Sequence, residues 1–260
     1  MRQVHRQALS ARAQAYLERK ARDTEATDID RAWKSARQTM KFKEILEKLW
    51  AMSGPRQRCM YCVDSHGSDI DHFWPKASYP DKAFVWLNML LCCTECGRFK
   101  GDQFPMSDAG EPMLVDPSAE NPWTHLDFDP DTGNLTARYD LNAAMPSPKG
   151  DRTVQVFNLD RREGMAEGYR RTYQRLVVCV ERALNQNVIV PHQLASALQQ
   201  ADEHGLMGWC FGEVGAGMEP FKTLRSAAPA AWDACVTVAQ DYPSLGRASG
   251  VYTSSITIDV

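Results

Sequence analysis

Apolar residues recur at helical spacing near both ends of this chain, and turn-forming residues crowd its middle. Residues 7–21 are rich in Ala, Arg, Leu and Glu and lack Gly and Pro, which predicts a helix. A second helix is predicted from a cap at Asp28 or Asp30 to about residue 52. It buries one face through Trp33, Ala36, Met40, Phe42, Ile45, Leu46, Leu49 and Trp50, and Gly54 and Pro55 end it. Residues 63–73, with Gly67 at their centre, read as a short hairpin, and a brief helix starts near Cys93 and stops by Gly101. From 105 to 150 the chain is full of Pro, Gly, Asp and Asn; Thr132, Gly133 and Asn134 separate two apolar stretches, 126–128 and 135–139, expected to pair as strands. Val154, Val156, Phe157 and Leu159 lead into a helix over 162–187. Further helices open at Pro191, running to about 204, and at Pro229, running to 240. The tail after Tyr242 is rich in Ser, Gly and Thr and is expected to be loosely held.

These elements predict a mainly helical α+β fold in four segments. They are an N-terminal helical arm (1–55), a compact core (56–105), a turn-rich β extension (106–150) and a C-terminal helical region (151–260). The 43% hydrophobic and 24% charged content over 260 residues suits a globular protein. No apolar run approaches a membrane span and no apolar stretch follows the N-terminal charges, so the expected location is cytoplasmic, without a membrane. The net charge of −3 conceals an asymmetry. Residues 1–58 carry 14 basic against 7 acidic side chains, and residues 101–140 carry 9 acidic against one basic, Arg138. A basic arm can attract phosphate, although a solvated helix face has the same composition.

Five of the eight cysteines lie between Cys59 and Cys96. Such crowding argues against a spread disulfide framework and for metal. Cys59/Cys62 and Cys93/Cys96 form two C-x-x-C pairs, which together supply the four thiolates of a closed structural zinc site. Cys92 could also pair with Cys96; Cys93 repeats the spacing of the first pair. Between the pairs stand Asp71 and His72. A neutral His can take a proton from water near pH 7, and an Asp suits Mg2+ or Mn2+, so the dyad fits metal-assisted hydrolysis of a phosphodiester. Adjacent strand residues point to opposite faces, so the strand must end or bend there for both to serve one site.

The run C-x-x-C, Asp-His-x-x-Pro, Asn, C-x-x-C-x-x-x-Lys, carried by Cys59, Cys62, Asp71, His72, Pro75, Asn88, Cys93, Cys96 and Lys100, resembles HNH endonucleases of the zinc-stapled ββα-metal type. The resemblance implies a ββα core flanked by helices, with His72 as general base and Asp71 as ligand of a catalytic Mg2+ or Mn2+. It implies that Asn88 braces the loop that orients His72, and that Arg98 and Lys100 lie near phosphate. DNA is the expected nucleic acid. Asp-His-Phe-x-Pro-Lys at 71–76, Tyr79-Pro80, Trp86-x-Asn88, Lys100-Gly101-Asp102, Phe104-Pro105 and Asp116-Pro117 are further similar to the small HNH proteins of bacterial antiphage systems, of the Septu and some retron types. That resemblance implies a defence effector and a partner ATPase or another protein of such a system.

One position departs from the pattern. The residue after the last cysteine, Asn or His in the family and its second metal ligand, is Gly97. The neighbouring Glu95 and Asp102 fall on another helix face, and His66 stands on the other strand of the expected hairpin. Three readings follow: an active nuclease with a depleted metal site, which is preferred; a conditional nuclease, silent until a partner assembles it; and, as the alternative, a zinc-stabilised nucleic-acid- or partner-binding module that has lost cleavage. His125, His192 and His204 read as structural or surface histidines, and Trp123, Trp209 and Trp232 as packing residues.

Overall fold

The computed structural model describes residues 1–240, and the tail expectation after Tyr242 lies outside them. The fold is a mainly helical α+β arrangement with short strands. Helix α1 (Ala11–Asp23) starts at Ser10, whose side chain accepts from the Ala13 amide, and Lys20 and Arg22 face the negative end of its dipole. The expected long second helix is two. Helix α2 spans Ile29–Arg37 and α3 spans Met40–Met52. Thr39 makes the break. Its backbone is extended, its Oγ1 accepts from Phe42 N at 3.3 Å, and the same hydroxyl donates to Ala36 O at 2.8 Å. A threonine that bonds its own backbone both ends one helix and caps the next. Met40 is consequently on the surface, 78% exposed, and not on the buried face.

The expected hairpin within 63–73 is also different. Strand β1 (Asp69–His72) pairs antiparallel with β2 (Met89–Cys92), with Asp71 opposite Leu90 and His72 opposite Met89. The earlier stretch contributes one isolated bridge, Arg58 to His66. Gly67 is needed for closeness: a Cβ there would lie 2.4 Å from Leu91 Cγ. Helix α4 (Thr94–Lys100) follows β2, packs on β1 and ends at Gly101, whose φ of +47° turns the chain away.

Strands β3 (Leu126–Phe128) and β4 (Leu135–Ala137) pair as the turn chemistry predicts, and β5 (Tyr139–Asp140) pairs with β6 (Met145–Pro146). Val154 and Phe157 belong to a helix of their own, α5 (Pro148–Phe157), closed by Asn158 in the left-handed region. Helix α6 (Glu163–Leu184) and α7 (Pro191–Ala201) follow, then α8 (Met207–Cys210), α9 (Phe221–Ala227) and α10 (Pro229–Gln240). One buried cluster runs through the helices and β1–β4, from Leu17 of α1 through Leu90 and Cys96 to Leu176 of α6 and Cys235 of α10, and leaves β5 and β6 exposed. The β1–β2–α4 unit is therefore embedded among helices, which gives its few residues a core they could not form alone. Among the described residues no helix is long and apolar enough to cross a membrane.

Candidate functional site

The turn after Cys59 is tight: Val63 N donates to Cys59 O at 2.9 Å, and Cys59 N donates to Ser65 O at 2.9 Å. Met60 N reaches across to Leu91 O at 2.8 Å, which seats the turn on β2. On the other side Cys93 is the N-cap of α4, its sulfur accepting from Cys96 N at 3.4 Å. These two turns bring the Sγ atoms of Cys59, Cys62, Cys93 and Cys96 within 4.8 Å of one another, all buried. Sulfurs about 2.3 Å from a tetrahedral zinc lie about 3.8 Å apart, and Cys62 Sγ and Cys93 Sγ are 3.8 Å apart. That spacing is far too long for a disulfide. Hydrogen bonding from Cys59 pulls the Cys62 thiol down, while burial pushes Cys59 up. Buried sulfurs that share protons in this way are suited to a cation that replaces those protons. The cluster could hold a structural metal such as zinc, and Cys92 stands outside it. Arg162 supports it from the far side of the chain, donating to Cys96 Sγ at 3.3 Å and pairing with Glu95.

His72 is buried at the end of β1, with its ring edge-on to Trp33 at a centroid distance of 4.2 Å. Its Nε2 lies 2.8 Å from the Ala83 carbonyl. A carbonyl only accepts, so Nε2 carries the hydrogen and the neutral ring keeps its lone pair on Nδ1. Burial lowers the ring to about 4. The loop that supplies Ala83 is braced by Asn88: its Oδ1 accepts from Trp74 N at 2.7 Å, and its Nδ2 donates to Trp74 O and Lys82 O at 3.0 Å each.

Asp71 leaves β1 on the opposite face from His72, so the dyad's side chains have separate partners. Tyr61 Oη donates to Asp71 Oδ2 at 2.6 Å, and Lys100 Nζ lies 3.1 Å from the same oxygen. Lys100 has no exposed surface, and its ammonium also donates to His72 O at 2.6 Å. It is thus turned inward and has no surface to offer a phosphate, whereas Arg98 of the same helix is exposed. Burial pushes the Asp71 carboxyl up, and Lys100 and Tyr61 pull it back. Gly97 offers no side chain; a Cβ there would meet Cys92 Sγ at 3.5 Å. Glu95 is engaged with Arg162, and Asp102 and His66 are exposed. Among the described residues, the cysteine cluster is the sole group of three or more His, Cys, Asp or Glu ligands close enough to hold an ion. A hard divalent ion takes mainly oxygen ligands. Asp71 alone, with a phenol and an ammonium already on it, does not fit one in this conformation.

The sequence does not mark Tyr61, Ala83 or Arg162 as site residues, and Trp33 stands out in it only as part of a buried helix face. Tyr61 lies inside the first C-x-x-C pair, a position that could have drawn notice. The Ala83 carbonyl and Arg162 carry no local signal, because only the folded chain brings them near.

Fold and site together define a mainly helical α+β protein with a short ββα unit beside a buried four-cysteine cluster that could hold a structural metal. No family model matches the chain. Parts of it are similar to two proteins, both described as Septu protein PtuB. The one from Bacillus thuringiensis is 27% identical over 84 residues, covering 30% of this chain and 31% of that protein. The one from Bacillus mycoides is 28% identical over 152 residues, covering 46% of this chain and 47% of that protein. The matches thus span less than half of either relative.

Proposed function

We propose that this chain is an HNH-type endonuclease that hydrolyses phosphodiester bonds of nucleic acid, with DNA as its substrate, as the effector of a bacterial antiphage system. The observation that carries the reading is the setting of His72. A buried ring held through Nε2–H to Ala83 O, on a loop braced by Asn88, presents Nδ1 as a fixed, neutral base. Hydrolysis of a phosphodiester begins with loss of a proton from water, and a ring of this kind accepts that proton without first losing one of its own. Similarity to Septu proteins supports the defence role and a partner protein of the same system; the partner we propose is an ATPase. Asp71 takes no part in the step while Lys100 and Tyr61 hold it, so the enzyme is a conditional one that rests until its partner or substrate engages it.

The second reading, a zinc-stabilised module that binds nucleic acid without cutting it, is favoured by Gly97 and by an arginine-lined cleft. Arg58, Arg171, Arg175 and Arg182 line this cleft beside α6, where Glu203 pairs with Arg175 at 3.0 Å and with Arg56 at 3.2 Å. Conversion of supercoiled plasmid to nicked and linear forms, with Mg2+ or Mn2+ and with the proteins encoded beside this one, separates the two. The endonuclease reading expects wild-type cleavage that His72→Ala reduces by two orders of magnitude or more, about the size of a general base contribution. Equal inertness of both proteins under every condition, with salt-sensitive DNA binding retained, leaves the binding module.

A further inference from the structure

We infer that the Lys100 ammonium is the resident cation of the Asp71 site, and that it closes this carboxylate to a divalent ion for as long as it stays in place. The inference rests on the endonuclease reading only for the use of the ion; the contacts stand without it. Lys100 is wholly buried, 3.1 Å from Asp71 Oδ2 and 3.4 Å from Oδ1, and is fixed from behind by the His72 carbonyl at 2.6 Å. Tyr61 donates to Oδ2 from within the cysteine turn. Positive charge at this distance does what a bound cation does for a buried carboxylate: it neutralises it. A second, doubly charged ion on the same oxygens would stand a few ångströms from that ammonium and be repelled by it.

The helix shows how the exchange is built. Positions 97 and 100 are one turn apart and so share a face of α4. At 97 the side chain that would donate an oxygen or nitrogen is missing, and its space borders the soft sulfur of Cys92, a poor ligand for Mg2+. At 100 the helix supplies a cation. One face of α4 thus gives Asp71 a charge in place of a co-ligand. The first turn of α4 is tied down by Cys93 and Cys96, and its last turn is closed by the Gly101 amide on Gly97 O and by Gln103 on the Phe99 and Lys100 carbonyls; withdrawal of Lys100 is a movement of that last turn against those bonds. Lys100 is a positioning residue: it acts through Asp71 and touches no solvent.

Titration of the zinc-loaded full chain with Mn2+, followed by the electron paramagnetic resonance signal of the free ion, tests this without nucleic acid. Wild type and Asp71→Asn are expected to bind Mn2+ equally weakly. Lys100→Met is expected to gain one site roughly tenfold tighter or more, as removal of a neighbouring positive charge predicts, and Asp71→Asn in that background to abolish it. Lys100→Arg, which keeps the charge, is expected to gain none. A wild-type Mn2+ site that Asp71→Asn removes overturns the inference. So does a Lys100→Met protein that keeps its zinc and its circular dichroism yet gains no site. Should Lys100→Met fail to fold, the wild-type and Asp71→Asn pair decides: equal binding supports the inference, and a difference overturns it. An inert plasmid assay would sink the endonuclease reading and leave this result untouched.

Discussion

His72 and Asp71 are neighbours in the chain and face opposite sides of β1, so each takes its properties from different surroundings. Burial, with Trp33 against the ring, lowers His72 from an ordinary 6.5 to about 4, although its bond to Ala83 O works the other way. The neutral ring therefore persists well below neutral pH. Ring 15N chemical shifts followed from pH 7.5 to 4 should show it neutral until close to pH 4, and a midpoint near 6.5 would contradict this. The same shift has a stability consequence of known sign. Between pH 6.5 and 4 the unfolded chain binds a proton that the folded chain refuses. The His72 contribution is thus complete above about pH 6.5 and falls away as pH drops through that window, by about 3 kcal/mol in all. The residue types at this site were legible in the sequence; the lowered His72 ring and the inward turn of Lys100 were not, because the first comes from burial against Trp33 and the second from contacts with Asp71 and the His72 carbonyl that form only in the folded chain.

At the scale of elements, periodicity located most helices and missed two boundaries for one reason. A capping side chain or a residue in the left-handed region decides where a helix stops, and an apolar stripe registers neither. Thr39 divides α2 from α3 although the stripe continues across it, and Asn158 separates α5 from the helix that Val154 and Phe157 were expected to lead into. Thr39→Ala removes the cap of α3 and the bond to Ala36; a loss of about 1 kcal/mol is expected from urea denaturation, and an unchanged midpoint would show the cap to be idle. The strand pairing was missed for a different reason. β1 finds its partner across an intervening loop, and the local turn signal at Gly67 records a close approach to Leu91 rather than a hairpin.

At the scale of the molecule, the four cysteines tie the turn after Cys59 to the start of α4, and Arg162 of the C-terminal half reaches into the same cluster. A metal there would hold together elements that are distant in sequence, so its removal should be felt globally. The purified chain is expected to contain one zinc. Chelation should lower the melting temperature and expose β1–β2–α4 to hydrogen exchange. Cys93→Ser is expected to lose the metal and Cys92→Ser to keep it; the reverse result by elemental analysis would move the ligand to Cys92.

The order of residues alone determined the cysteine spacing, the Asp-His dyad, the gap at Gly97 and the helical ends, because each is a matter of residue type at short range. Only the tertiary structure decided that Cys93 and not Cys92 joins the cluster, that Asp71 and His72 part company, and that Lys100 turns inward to Asp71. Those outcomes depend on which groups meet across long stretches of chain, in surroundings dry enough that one ammonium, one phenol or one carbonyl sets the state of its neighbour.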